Sequence, residues 1–556
     1  MNPTVTPTDV YHATAEDETY LTTVQEVTSA AAGRRLADRP DVVHSARGYA
    51  LVNEGLTPHE AMVEDLLFVR DALDRAGISL LLVRGNDARP VIAVPWTERK
   101  KLREALVAAC QDEPFYSVTV DARKNRALLV ADGKLAESTK ARMFRLYRPR
   151  VVTHGGLLYG HETGVQIELW KWEGATLQLP IENSITRRTL PSDEAVRGTV
   201  ERFGRTWPTI ENMFADHATD IAFPIDIVFS WVNGSDTELL AHRASYLPGA
   251  VLGEGDDAEA RYRQIDELRY ALRSVHMFAP WIRHIFLCTD SALPEWLDAE
   301  DPAITVVRAE DHFADPSVLP VFNSQAIEAQ LQNIEGLSEY FLYSNDDMFF
   351  GRPISPDLFF SPGGITKFIE ASTRIGLGDN HLDRSGFENA ARVNRRLLYE
   401  KFDRITTRHL EHTAAPMRKS VLREMEHEFS TDFAETAASR FRAKDNISVT
   451  NSLYHYYALL TGRAVTKVGA KVKYVDTTVP SGLNQLDKLL RKRNQDFFCL
   501  NDGSFPEVSA AERQQRVTDF LTRYFPIPAP WEKPSPDEDS VSGAVVPAPE
   551  APTASN

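Results

Sequence analysis

The stretch Ile225-Asp-Ile-Val-Phe-Ser-Trp-Val-Asn-Gly-Ser-Asp236 constrains the fold more than any other part of this chain. Ile225, Ile227, Val228, Phe229 and Val232 are β-branched or aromatic, a composition that predicts a largely buried strand. Asn233-Gly234 ends it, because glycine accepts backbone conformations that other residues avoid. Ser235 and Glu238 have the capping-box spacing that starts a helix. Strand, tight loop and helix N-terminus in this order put residues 231–236 at the carboxyl edge of a strand. In open α/β sheets that edge binds ligands, and the free N–H groups of the helix suit a phosphate. Asp236 reads either as a partner of the helix dipole or as a functional carboxylate.

The rest of the chain leaves room for several domains. Its 556 residues suggest two to four, and 43% hydrophobic with 25% charged residues is ordinary for a globular protein. The net charge of −17, from 62 basic and 79 acidic side chains, argues against nucleic acid as a partner. An anionic substrate would need a local basic pocket inside that acidic field. Cys110, Cys288 and Cys499 lie far apart with no CxxC spacing, which fits a reducing compartment. The N-terminal residues lack the apolar core of a signal peptide, and no apolar run approaches membrane-spanning length. The expectation is a cytoplasmic protein, at most peripherally attached to the inner face of a membrane.

Residues 1–57 are weakly patterned and read as partly disordered, with one or two helices. Residues 58–205 alternate helical and strand patterns and read as an accessory α/β domain without a catalytic constellation. The central domain is expected over 220–525, with a polar, helical insertion at about 366–411 that flanks the site or forms a lid. That insertion carries Arg392, Arg395 and Arg396. The Pro-, Ala- and Ser-rich residues 526–556 read as a disordered tail.

Four groups of residues carry candidate chemistry in the central domain. In Arg263–Val275, Leu268, Leu272 and Val275 share one helical face and Arg269 and Arg273 another. Two guanidinium forks on one face suit a diphosphate; the alternative is a salt-bridged surface helix using Asp266 and Glu267. Tyr340-Phe-Leu-Tyr-Ser-Asn-Asp-Asp-Met-Phe-Phe350 is an apolar strand ending in Asn345-Asp346-Asp347. Adjacent carboxylates there need compensation, which Mg²⁺ held by one or two carboxylates and substrate phosphates provides; the alternative is a capped turn. In His412-Thr-Ala-Ala-Pro-Met-Arg-Lys-Ser420, Pro416 predicts the first turn of a helix. Arg418 and Lys419 in that turn oppose the dipole unless an anion bridges them, or unless their long stems carry them into solvent. Finally, Phe497-Phe-Cys-Leu-Asn501-Asp502 could bring a further metal or sugar contact, or be a plain turn before Gly503. Asn323-Ser324 is a helix cap.

Ile225–Asp236, Arg263–Val275, His412–Ser420 and Phe497–Asp502 resemble, in order, the four sequence blocks of the Stealth family, and span about half the chain. These are bacterial capsular or exopolysaccharide sugar-1-phosphate transferases related to the animal GlcNAc-1-phosphotransferase. The chain departs from the family pattern at Ala414 and Ala415, where a Pro or bulkier residue is common. The resemblance implies a GT-A-like nucleotide-sugar-binding domain with a mostly parallel sheet. It implies transfer of a sugar 1-phosphate from a nucleotide-diphosphate sugar to a glycan hydroxyl. Asp346 and Asp347, with Asn501 and Asp502, would hold Mg²⁺ or Mn²⁺. Trp231, Asn233, Gly234, Asn323, Arg418 and Lys419 would bind the donor, Arg269 and Arg273 would neutralise the transferring group, and His412 or Asp236 would take the acceptor proton. The alternatives are a GT-A glycosyltransferase that moves the sugar alone, and a noncatalytic polysaccharide-binding or regulatory protein.

Overall fold

Four short runs of β-branched and aromatic residues in the central region pair in parallel, and their order sets the geometry of everything else. The computed structural model describes residues 30–45, 48–120, 126–246, 265–503 and 506–534. Strands β1 (Ile225–Ser230), β2 (Ile285–Cys288), β3 (Ile304–Val307), β4 (Tyr340–Asn345) and β5 (Ala415–Arg418) form one sheet in the order β3-β2-β1-β4-β5. The first three pairings are parallel and the last is antiparallel. The strand order reverses between β1 and β4, so this is the topological switch point where such sheets open a crevice. Ser230 lies opposite both Cys288 and Asn345, so three strands end in one row.

Buried side chains cover both faces of this sheet. On one side, Ile227, Phe229 and Leu342 pack with Leu268, Leu272 and Val275 of helix α2 (Glu267–Phe278), which follows α1 (Thr237–Ser245). On the other, Val228, Phe341 and Tyr343 pack with Met417 and with Val421, Leu422 and Met425 of α3 (Lys419–Glu428). A three-stranded sheet of Met348–Phe350, Phe497–Asn501 and Val472–Asp476 continues the body and carries residues 501–502 toward the end of β4. All three cysteines are buried and unpaired.

The insertion is less helical than its polarity suggests. It contains strands Thr366–Phe368, Glu370–Arg374 and Arg408–Leu410 around one helix, Gly386–Phe402. The N-terminal region also differs from expectation. Val42–Ser45 and Gly48–Val52 are paired strands within the segment expected to be partly disordered, and Gly48–Val52 runs parallel to Arg150–Val152. Residues 1–29 lie outside the described residues. The accessory body extends past residue 205 through the hairpin Arg197–Arg202 with Arg205–Ile210. Its Leu157 and Tyr159 share an apolar cluster with Tyr270 and Phe520, so the two regions have a common core.

The tail boundary moves as well. Phe525, Ile527, Ala529 and Trp531 are buried, and Glu532 is 2% exposed at its side chain. Glu532 accepts from Arg269 Nε at 2.5 Å, from Arg273 Nε at 2.6 Å and from Arg273 Nη2 at 2.7 Å, while Arg273 Nη1 donates to the Phe525 carbonyl. Residues 525–533 therefore form a strap across α2, and only residues 535–556 lie outside the described residues. Glu532→Ala leaves two guanidinium groups without their carboxylate in a largely buried site, and should cost about 3–5 kcal/mol of stability. Truncation after Pro534 should leave the melting temperature unchanged, and truncation after Tyr524 should lower it by several degrees. A thermal melt of the three variants checks this.

Candidate active site

The loops after β1, β2 and β4 enclose a cleft of about 790 Å³ at the carboxyl edge of the sheet. That volume suits a small-molecule ligand. Ser230, Trp231, Cys288, Asn345, Asp346 and Asp347 form its base, with Asn501 and Asp502 alongside. Trp231 is 2% exposed, and its Nε1 has no hydrogen-bond partner among the described residues.

Asp346 and Asp347 lie together at the end of β4, as expected. Burial first, then the neighbouring Asp347 and Glu267, raises the Asp346 carboxyl well above the usual carboxylate range. Three acidic groups converge here, and each ionised one disfavours the next. A proton or a cation relieves that repulsion. Among the described residues no group of three or more His, Cys, Asp or Glu side chains is arranged to hold a metal. Two adjacent carboxylates are a donor set of the kind that an ion such as Mg²⁺ takes, its shell completed by phosphate oxygens and water.

Several predicted site residues do other work. Asp236 caps α1: its Oδ1 accepts from the backbone N–H groups of Glu238 and Leu239, and its Oδ2 from that of Ala292 at 2.8 Å. These bonds hold its carboxyl below the usual range, which disfavours it as a base, and they make Asp236 rather than Ser235 the helix cap. Asn233 and Gly234 sit in the preceding turn, off the cleft wall. Asn233 Oδ1 accepts from Ser235, its N–H donates to Ser291 Oγ and its Nδ2 to the Ala292 carbonyl, so it ties the β1 loop to the β2 loop. Asn323 lines the cleft, but its Oδ1 caps the helix Ser324–Glu328 and its Nδ2 donates to Ser439 and Asn446.

The four expected phosphate cations are all outside the cleft. Arg269 and Arg273 are held by Glu532. Pro416 belongs to β5, an edge strand, and not to a helix turn. Because β5 is antiparallel, Arg418 lies opposite Tyr340, at the far end of β4 from Asp346. There Glu339 supplies the anion: it accepts from Arg418 Nε at 3.1 Å, and from Ser420 N and Oγ at the start of α3. Lys419 Nζ donates to the Ile334 carbonyl at 2.7 Å.

The same reversal of direction carries His412 toward the cleft end of the sheet. Its ring meets that of Tyr474 at 5.2 Å and 58°. The Tyr474 hydroxyl accepts from Asn501 Nδ2, so His412 connects to the cleft rim through two side chains. Asn501 Oδ1 accepts from Asp502 N, which engages both ends of that amide. Asp502 is ion-paired with the buried Arg513. Asn501 and Asp502 thus line the site, with their polar groups committed to its scaffold.

Sequence reasoning missed the cations that do line the cleft: Arg243, Arg384, Arg442 and Lys444. Arg243 is buried on α1 with its guanidinium over Phe441 at 5.5 Å. Arg384 Nε is buried without a hydrogen-bond partner among the described residues. Arg442 Nη2 donates to Ser324 Oγ, and Lys444 pairs with Asp445. Arg384 comes from the insertion, which does flank the site. Phe322 and Phe441, which also line the cleft, stack at 5.6 Å.

The chain matches Stealth protein CR1, conserved region 1, over residues 223–250; CR2, conserved region 2, over 261–368; CR3, conserved region 3, over 411–459; and CR4, conserved region 4, over 487–541. It is 58% identical over 508 residues to the exopolysaccharide phosphotransferase CpsY of Mycobacterium tuberculosis, covering 91% of this chain and 95% of that protein. An exopolysaccharide phosphotransferase of Nocardia farcinica is 52% identical over 88% of this chain and 92% of its own. One of Streptomyces coelicolor, SCO6021, is 36% identical over 89% and 94%. Among solved structures, the galactosyltransferase LgtC with donor and acceptor sugar analogs covers 53% of this chain and 95% of its own, at 13% identity and a TM-score of 0.26. With more than half its residues identical over nine-tenths of its length, this chain belongs to the Stealth family of phosphotransferases.

Proposed function

We propose that the protein transfers a sugar 1-phosphate from a nucleotide-diphosphate sugar to a hydroxyl of a glycan acceptor, building a phosphodiester-linked exopolysaccharide. The observation that carries this reading is the polarity of the cleft. Asp346 and Asp347 share its lining with Arg243, Arg384, Arg442 and Lys444. A diphosphate between them would meet cations from the protein and, when Mg²⁺ or Mn²⁺ is bound, the charge neutralisation that the metal supplies. Asp346 and Asp347 would hold that ion. Phe322 and Phe441 offer a nucleobase a stacked apolar surface.

In this reading the acceptor oxygen attacks the β-phosphorus, and the bond between that phosphorus and the oxygen bridging to the α-phosphate breaks. Nucleoside monophosphate leaves. The cleft cations stabilise charge spread over the phosphoryl oxygens during transfer. His412, held against Tyr474, takes the proton of the acceptor hydroxyl. A glycosyl transfer would instead build positive charge on the sugar ring, where four nearby cations are unfavourable.

Three outcomes are expected. The first concerns the floor. The folded state raises the Asp346 pKa, so above that pKa the ionised group costs stability, and a proton or a cation removes the cost. Metal-free Asp346→Asn should therefore melt no lower than the parent at neutral pH. Mg²⁺ with a nucleotide sugar should raise the melting temperature of the parent and not of the variant, and Asp346→Ala and Asp347→Ala should lose transfer. Full activity in EDTA contradicts the metal assignment. Secondly, His412→Ala should lower the transfer rate by roughly 10²–10⁴-fold with donor affinity nearly intact. The third is product identity: mass spectrometry should find a nucleoside monophosphate and an acceptor heavier by a hexose or N-acetylhexosamine plus phosphate. Nucleoside diphosphate with only sugar added refutes the phosphotransferase chemistry.

A further inference from the structure

Leu377, in the insertion, is 91% exposed, and its neighbours hold it there. It stands between Gly376 and Gly378, and the Arg395 guanidinium donates to both flanking carbonyls at 3.1 Å, Nη1 to Gly376 and Nη2 to Gly378. Gly378 has a φ of +80°, which favours glycine, and a Cβ on Gly376 would run into Arg392 Nη2. The turn thus closes against the helix Gly386–Phe402 and leaves its leucine in solvent. A second apolar side chain lies across from it. The Ile375 N–H donates to the Thr407 carbonyl, which extends the pairing of strands Glu370–Arg374 and Arg408–Leu410. Two residues beyond that bond on the two segments are Leu377 and Ile405, and Ile405 is 64% exposed. Single exposed apolar residues are ordinary; a facing pair, one of them fixed outward by a fork of hydrogen bonds, is not. The rim of the pair is basic. Residues 371–378 and 404–410 contain Arg374, Arg404 and Arg408 and no acidic residue, bounded by Asp379 and Asp403, in a chain with net charge −17. Arg374 and Arg404 are exposed and Arg408 is half-buried. Arg404 and Arg408 donate to the backbone carbonyls of Asp403 and Ala371, and none of the three has a carboxylate partner among the described residues.

We propose that this hairpin tip, Leu377 and Ile405 ringed by Arg374, Arg404 and Arg408, is a docking surface for an anionic lipid membrane. The chemistry of the patch selects that partner. Two aliphatic side chains can enter the boundary between headgroups and acyl chains. Arginines at the same level meet lipid phosphates, which guanidinium forks bind in bidentate fashion. The acidic field of the whole protein repels an anionic surface, so the basic tip also fixes the orientation of approach. Among the described residues no helix is long and apolar enough to cross a membrane, and attachment through this tip is peripheral and reversible. Seven residues after Leu377 the same loop reaches the cleft lining at Arg384. Docking therefore brings the cleft close to the lipid surface. The proposal is independent of the donor and of the bond that is broken.

The probe is a vesicle of phosphatidylglycerol and phosphatidylcholine, with pure phosphatidylcholine as control, and the readout is co-sedimentation of the full-length protein. The protein should bind the anionic vesicles and not the neutral ones, and binding should weaken as salt rises. Leu377→Ser/Ile405→Ser and Arg374→Gln/Arg404→Gln should each weaken it by at least about tenfold, with unchanged melting temperature. Val465→Ser/Val468→Ser, at another pair of exposed apolar residues, 46% and 84% exposed, should bind like the parent. A second measurement does not depend on loss of binding. The three native cysteines are buried, so a Leu377→Cys variant takes a polarity-sensitive fluorophore selectively, and its emission should move to the blue with anionic vesicles only. Either tip variant binding like the parent, an equal loss in the valine variant, or a label that reports no change overturns the proposal. So does a protein that ignores the vesicles but forms a dimer, by light scattering, that Leu377→Ser/Ile405→Ser dissociates; the tip is then a contact between two copies of this chain.

Discussion

A single carboxylate inside β1 sets the level at which the central strands begin. Asp226 has no exposed surface, yet it receives Arg283 Nε at 2.7 Å, Arg283 Nη2 at 2.6 Å and the Ser338 N–H at 2.8 Å. Arg283 precedes β2 and Ser338 precedes β4. A buried charge is costly unless it is paired and hydrogen-bonded, so any slip of either neighbour along β1 would strand it. Pinned at one end, the three strands finish in a row at Ser230, Cys288 and Asn345. The metal-binding carboxylates of the proposed site follow immediately, and their mutual repulsion is tolerated because the ladder behind them holds.

The sheet was legible in the sequence because its strands are short apolar runs bounded by turn residues, and because Asn345-Asp346-Asp347 interrupts one abruptly. Trp231, Asp346 and Asp347 are where that pattern puts them. Partnerships across the chain were not legible. Arg269 and Arg273 share a helix face in the local pattern, but nothing local says that Glu532 occupies it. Arg418 and Lys419 look anomalous at a helix start until Glu339 is seen beside them. Asp236 has the position of a reacting group and the bonds of a cap. The cleft cations belong to α1, the insertion and the 440s, three segments without a shared motif, so only folding brings them together.

The antiparallel strand β5 separates two residues of one sequence block, His412 and Arg418. Five residues divide His412 from Arg418, and the direction of β5 sends the first toward the cleft and the second to the opposite edge. A parallel strand there would exchange them. The acid–base role proposed for His412 and the structural anchoring by Arg418 are therefore distinguished by strand polarity more than by residue type.

The strap has a consequence for how the chain is made. Arg269 and Glu532 are 263 residues apart. At a synthesis rate of about 5–20 residues per second, on the order of ten to fifty seconds pass between their emergence from the ribosome. During that interval α2 carries two guanidinium groups without their carboxylate, beside an apolar surface that Ile527 and Trp531 will later cover. The catalytic body thus reaches its final closure only with nearly the last of the described residues translated. A nascent chain stalled before that point exposes the same sticky face on every copy, so premature release favours aggregation over a truncated but working enzyme.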